Sequence, residues 1–496
     1  MTRFSFSLST LALLAATPAF AETLAADLWA EWQAQAELTG QSVSATVTET
    51  ETGLTLSNFT TTAEEDGFST RGAIDEIEMT ENSDGTVSVT YSELYSTTFT
   101  FEVDAGDPPA NIELQLRHEG LDLQVSGEPG NRTYTYAADR LTLTDGAIWG
   151  GGGEPPTIDL DMVISDMAST YSVTGDTPET MRFDSTGRIG RMQMALEVLP
   201  PPGETGRLKM GMVMGAAQGT SAGTFLSLAA LSEADGALPD GLDLNGTTSY
   251  DSFALEFEFV DVDEQFAITY TNAGGRLGFG MSETEISYEI AGQGMQTRIS
   301  AMDLPVPIDL SVASSEATIA VPLSAGDAPQ DVMARIAYED IALGDSLWAM
   351  IDPTNAIPRD PASLILDATG QVQLFVDLIS IDPETMTGPP GELRGLSVNE
   401  LRLDVGGAEL SGTADVSFAP GQLIPMPAGA ADLQLSGGNA LLDALIAGGM
   451  VPAEQGAFVR GMANAFARPG AAPDTLETSI EFGEDGSITA NGIPLQ

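Results

Sequence analysis

Residues 253–290 read FALEFEFVDVDEQFAITYTNAGGRLGFGMSETEISYEI, with apolar side chains at every second position of each segment. Phe253, Leu255, Phe257 and Phe259 alternate with small or acidic residues, and after an acidic turn Phe266, Ile268 and Tyr270 repeat the pattern. A period of two marks a strand with one apolar and one wet face, the usual arrangement in antiparallel sheets. The same texture extends in both directions. Upstream it runs through SVSATVT, TVSVTYS, TTFTFEV, IELQLR, LDLQV, TYTYA and LTLTD, punctuated by Asp66-Gly67, Asp84-Gly85 and Asp145-Gly146, dipeptides that favour hairpin turns. It continues through RMQMALEV and RLKMGMVM, where Met192, Met194, Met210, Met212 and Met214 form a stripe at period two. On alternating strands such a stripe is expected to be the inward, core-facing set. No fixed-period repeat licenses a solenoid or a propeller.

The sequence predicts a mainly β protein of extended antiparallel sheets or a sandwich, with helices only at the margins. Residues 22–38 carry Leu24, Leu28 and Trp32 at helical spacing and are expected to form an amphipathic helix docked on the body. Near the C-terminus, 439–468 read as a helical hairpin: Asn439 is placed to cap the first helix, Gly448-Gly449 ends it, and Pro452 opens the second. Phe458, Val459, Met462 and Phe466 form the apolar stripe of that second helix. The expected organisation is therefore a leader at 1–21, an N-terminal helix plus β region at 22–214, a helix and acidic linker at 215–250, and a second β region at 251–496 containing the hairpin.

Composition excludes several function classes. Of 496 residues, 42% are hydrophobic, enough for a folded chain, yet 18 Lys and Arg face 73 Asp and Glu, a formal net charge of -55. Nucleic-acid binders gain affinity by neutralising phosphates with cations, so DNA and RNA are not expected partners. The chain has no Cys and a single His, His118, which removes thiolate chemistry and any site needing two imidazoles. At the N-terminus, Arg3, the apolar run 8–16 and the small-x-small pattern Ala19-Phe20-Ala21 before Glu22 read as an export signal cleaved after Ala21. No later apolar run approaches the roughly 20 residues that span a bilayer as a helix. The expectation is an exported chain without a transmembrane segment after cleavage.

Between two strand regions lies the most distinctive local stretch, 340–376, DIALGDSLWAMIDPTNAIPRDPASLILDATGQVQLFV. Asp345 is placed to cap a short helix with Leu347, Trp348 and Ile351 on one face. Pro353 stops that helix, and Pro358 and Pro361 stiffen the following turn. The reading is a Trp-anchored plug between strands. Beyond it a strand is expected from Leu364, broken at Gly370, with another at Val372, Leu374 and Val376. This stretch, together with GGNALLDALIAGGMVPAEQGAFVRGM and the ending SITANGIPL, resembles the domain of unknown function 2125 family over most of the mature chain. The resemblance implies a Gram-negative source, hence the periplasm, with secretion as the alternative. It supplies no catalytic residues to carry over.

Candidate chemistry is sparse. A glycosidase-like pair of carboxylates cannot be singled out from 73 acids. His118 stands without a G-x-S-x-G elbow and reads as a turn histidine. Asp84 in ENSDGT, and Asp261, Asp263 and Glu264 in VDVDEQF, resemble fragments of a calcium loop but lack its full ligand spacing, and hairpin turns explain both. No cofactor or metal is called for. The reading that remains is a non-enzymatic envelope protein that binds a lipid or other amphiphile, or scaffolds envelope assembly. The alternatives are a carboxylate-based periplasmic hydrolase and a purely structural interaction module.

Overall fold

The computed structural model describes residues 23–38, 40–65, 67–103, 107–175, 177, 180–224, 241–380, 388–421 and 425–495. The proposed cleavage residues Ala19, Ala21 and Glu22 lie outside these. Among the described residues, 28 strands form one sheet, and the pairings between them are antiparallel. The two β regions are therefore parts of a single sheet.

The sheet is two strand-lengths wide over its first half. Long strands such as Phe68–Glu81, Asn131–Trp149, Thr157–Thr174 and Glu285–Ala301 run its full width. Between them, short strands lie end to end in two lanes. Strand Phe68–Glu81, for example, pairs with Val87–Tyr91 at its C-terminal end and with Leu94–Phe101 at its N-terminal end. The first lane continues through Asp122–Glu128, Arg182–Ile189, Ala217–Thr224, Asp243–Tyr250 and Gly275–Ser282. The second continues through Ala110–Glu119, Arg191–Leu199, Arg207–Met214, Phe253–Val260 and Gln265–Asn272. From Glu285–Ala301 onward the chain meanders through full-width strands. The stretch 215–250, expected as a helix and linker, contributes two first-lane strands, Ala217–Thr224 and Asp243–Tyr250; residues 225–240 lie outside the described set.

Left-handed residues occur where full-width strands pass from one lane to the other: Asn58 (φ 52), Asp166 (φ 55), Gly294 (φ 58) and Asp340 (φ 53). At each, the apolar alternation changes phase. Strand Thr157–Thr174 uses Ile158, Leu160, Met162 and Ile164 before Asp166, then Tyr171 and Val173 after it. Strand Gln330–Leu343 uses Ala334, Ile336 and Tyr338, then Ile341 and Leu343 after Asp340. A left-handed residue re-aims the side chains that follow, so the phase changes while the apolar set stays on one face. Two contacts show the shared face. Phe59, beyond Asn58, meets the ring of Trp29 at 6.1 Å within the cluster that holds Leu54 and Leu56. Second-lane Asn272 donates from Nδ2 to the hydroxyl of first-lane Tyr250 at 2.9 Å.

Helix α1 (Ala25–Leu38) covers this face at the N-terminal end of the sheet, starting three residues later than the expected 22–38. Glu81 accepts the Ala25 N–H at 2.9 Å and so satisfies one open donor of the helix start. Ala25, Leu28 and Trp29 bury against Leu54, Leu56, Ile77, Met79, Val87, Val89, Leu123 and Val125. Arg132, 3% exposed, donates to both carboxylate oxygens of Glu31 at 2.9 Å and ties the helix down from the far side of the cluster. Burial, then the neighbouring Glu31 charge, push the Tyr134 hydroxyl up to about 12.

Helix α2 (Asp345–Ile351) corrects the plug reading. Its N-cap is Gly344 without a side-chain cap, and Asp345 is its solvent-exposed first residue, 3.6 Å from Arg359. None of its residues is buried: Leu347 and Trp348 are half-buried, the Arg359 guanidinium lies 5.6 Å from the Trp348 ring centre, and Ile351 is exposed. Pro353, Pro358 and Pro361 are also exposed. The organiser is Asp352, buried, which accepts from the Ile357 N–H at 2.8 Å and the Thr354 hydroxyl at 2.9 Å. The Ile357 N–H holds its carboxyl below the usual carboxylate range. The strand beyond is continuous over Ala362–Leu374. Gly370 does not break it; a Cβ there would stand 2.8 Å from the Gly395 carbonyl oxygen.

The C-terminal hairpin comprises α3 (Gly438–Ala447) and α4 (Ala453–Phe466). Asn439 does not cap α3; it lies inside the helix, and its cap is supplied from 35 residues downstream. Asp474, left-handed at φ 51, accepts the N–H groups of Asn439 and Ala440 at 3.3 and 3.0 Å. Burial raises its pKa, but these N–H groups and the Asn439 amide outweigh it and hold it below 3.8. A carboxylate there also favours the helix dipole, which a neutral cap does less well.

Two expectations follow. Asp166→Val and Asp340→Val should each lower the unfolding free energy by about 1–2 kcal/mol, because a branched Cβ is strained in the left-handed region. Asp166→Gly and Asp340→Gly should change it by less than about 0.5 kcal/mol; equal losses for Val and Gly in urea melts would dismiss the backbone explanation. Asp474→Asn should cost about 1 kcal/mol near neutral pH. Because the folded carboxyl lies below 3.8, its contribution is complete above that value and fades as pH falls through the folded one. Wild type and variant should therefore converge in urea melts at strongly acidic pH.

Candidate apolar groove

Cross-strand register assembles the apolar positions into rows that cross many strands. One row joins Tyr338, Leu364, Leu403, Leu410, Leu435 and Leu476 across six consecutive strands. A second joins Leu277, Ile290, Ala317, Ile336, Leu366 and Leu401. A third joins Phe279, Tyr288 and Ile319. Side chains on neighbouring strands stand about 5 Å apart, so each row is a continuous apolar ridge.

The rows are open. Phe279, Leu277, Tyr288, Ile290, Ile319, Ile336, Tyr338, Leu364 and Leu403 are between 37% and 54% exposed. The large side chains buried to below 2% exposure include Leu28, Leu56, Ile77, Met79 and Leu123, all of them in the cluster under α1. Contiguous large hydrophobics left this open on a folded chain mark a surface that meets something apolar. From Gly275–Ser282 to Gly391–Val405 the open patch spans five strand spacings, about 24 Å at the usual separation. That exceeds the roughly 15 Å of one bilayer leaflet's hydrocarbon layer.

The second lane continues the surface. Its rows include Met162, Met194, Met212, Leu255 and Tyr270, and Leu160, Leu196, Met210, Phe257 and Ile268. Met192, Met194, Met210, Met212 and Met214 are all partly buried, so the stripe shares the apolar face, as the alternation predicts, without being sealed into a closed core. The thioether side chain adapts to irregular apolar partners.

Charges occupy the other positions of the same strands. In strand Phe253–Val260 the aromatic residues alternate with Glu256 and Glu258, and Arg207 lies 3.0 Å from Glu258. Lys209 lies 3.5 Å from Glu197. Arg335 reaches Glu316 at 3.3 Å, Asp367 at 3.0 Å and Glu400 at 3.9 Å, and the Asp367 and Glu316 hydrogen bonds raise its pKa. Two of the carboxylates singled out for calcium, Asp84 and Asp261, serve their own turns. Asp84 accepts from the Thr86 hydroxyl at 2.8 Å and the Thr86 N–H at 3.1 Å, which lower its pKa. Asp261 accepts from Thr205 and from the Val262 N–H and is lowered likewise. Among the described residues, no three His, Cys, Asp or Glu side chains are grouped to hold a metal. Nε2 of His118 lies 3.1 Å from the Ser92 carbonyl oxygen, a satisfied histidine at a strand end.

The family described as "Uncharacterized protein conserved in bacteria (DUF2125)" matches residues 252–496. This half of the chain belongs to the DUF2125 family. The match is narrower than the resemblance expected over most of the mature chain, and the open patch falls wholly inside the DUF2125 half. No curated protein and no solved structure matches the chain. The part covered by α1 lies outside the matched residues.

Openness has a measurable consequence. Leu56→Ala, at a sealed position, should destabilise by about 3 kcal/mol. Ile290→Ala, at a position that remains half in water, should cost about 1 kcal/mol. Comparable losses in urea melts would mean that the groove face is closed in solution.

Proposed function

We propose that this protein is a non-enzymatic component of the bacterial envelope that shelters the acyl chains of an amphiphile against the apolar face of its sheet. The observation that carries this reading is the set of register-continuous rows of large hydrophobic side chains, half-exposed over about 24 Å, on a face whose described buried cluster gathers under α1. An acyl chain laid along such rows replaces water on both partners, and each buried methylene contributes about 0.8 kcal/mol. Export to the periplasm agrees with the signal-like N-terminus. Scaffolding of envelope assembly would use the same face against an apolar protein surface. A carboxylate hydrolase finds less support, because Glu197, Glu258, Glu316 and Asp367 are engaged in ion pairs with Lys or Arg.

The test is purification of the mature protein from its native periplasm, followed by organic extraction and mass spectrometry of the extract. A near-stoichiometric amphiphile, absent from a control periplasmic protein and lost in Ile290→Gln/Leu364→Gln, is the expected result. A clean extract from folded protein would sink the reading.

A further inference from the structure

Both rims of the open patch are acidic, and this bears on which amphiphile it takes. The inference rests on the amphiphile reading above and specifies its head group. Between residues 275 and 405 the chain carries six arginines and no lysine against twenty carboxylates. Each of the six arginines is within ion-pair distance of a carboxylate. Arg276 lies 3.4 Å from Glu289 and Arg298 2.7 Å from Asp309. Arg359 lies 3.6 Å from Asp345, Arg394 2.6 Å from Glu392, and Arg402 2.9 Å from Asp404. Arg335 lies among three acids. The turns that end the patch strands on the first-lane side carry exposed Glu283 and Asp327, and the second-lane end carries exposed Asp303 and Asp345.

A head group held at either end of an acyl chain lying in the patch therefore meets excess negative charge and no uncommitted guanidinium within this span. An anionic head would have to displace a carboxylate from its arginine or sit against carboxylates in a weakly screened field. A zwitterionic head presents its cationic group to those same carboxylates and is not penalised. We infer that the groove selects amphiphiles whose head group carries no net negative charge, with zwitterionic phospholipid-type heads as the favoured class, and rejects anionic heads on the same acyl chain.

The probes are lysophosphatidylcholine and lysophosphatidylglycerol of one chain length, titrated into the full mature protein below their micellar concentrations. The zwitterionic probe should bind about tenfold more tightly at low salt, and the gap should shrink to about threefold or less when high salt screens the rim. Glu283→Lys/Asp327→Lys should narrow the gap at low salt. Glu49→Lys/Glu51→Lys, the same charge change at the far end of the sheet, should leave it. Equal binding of both probes, still abolished by Ile290→Gln/Leu364→Gln, would overturn the head-group selection while leaving the groove. An equal effect of the two lysine pairs would overturn the rim as its seat. Binding of neither probe would overturn both the selection and the amphiphile reading.

Discussion

The apolar set of the long strands changes parity in the middle of the sheet yet stays on one face, and in Gly53–Glu65, Thr157–Thr174, Glu285–Ala301 and Gln330–Leu343 a left-handed residue takes up the extra position. Without Asp166, the even-numbered set at 158–164 and the odd-numbered set at 171–173 would point to opposite faces. The same holds on either side of Asp340. Asn, Asp and Gly adopt this conformation at small cost, and they are the residue types found at all four positions named above. In those four strands the continuity of the apolar face across both lanes rests on these residues.

Stability and openness are divided along the sheet. At the N-terminal end α1 closes the apolar face, and the deepest burial gathers there around Leu56, Ile77 and Met79. Arg132 fixes that helix through a largely buried bidentate pair with Glu31, whose main value is positional, because desolvation offsets much of the attraction. Farther along, long antiparallel pairing holds the strands while the row side chains from Leu277 to Leu403 stay half in water. A single-layer sheet can do this because its backbone hydrogen bonds are satisfied edge to edge without a second layer.

The two sets of alternating positions divide the chemistry. One carries rows of Leu, Ile, Phe, Tyr and Met; the other carries Glu, Asp and the arginines that pair with them. This segregation leaves an apolar track bounded at its ends by carboxylates, and under the proposed reading the chain's negative charge would bear on the head group it takes.

Much of this was legible in the sequence. Period-two alternation determined strands and antiparallel pairing, the lack of Cys excluded thiol chemistry, and the helical spacings placed α1 and the C-terminal hairpin, because these depend on local geometry within a few residues. The candidate site was legible only in part. The Met stripe showed which positions share a face, but not whether anything covers them, since a closed core and an open groove have the same periodicity. Distance in sequence hid other features: Asp474 caps a helix 35 residues away, Arg132 reaches a helix about 100 residues earlier, and Asp352, not Asp345, organises the Trp348 stretch. What the sequence by itself determined is which side chains face the same way. That the described strands join in one sheet and that the rows from Leu277 to Leu403 stay half-exposed were decided by tertiary structure, because both depend on which surfaces meet.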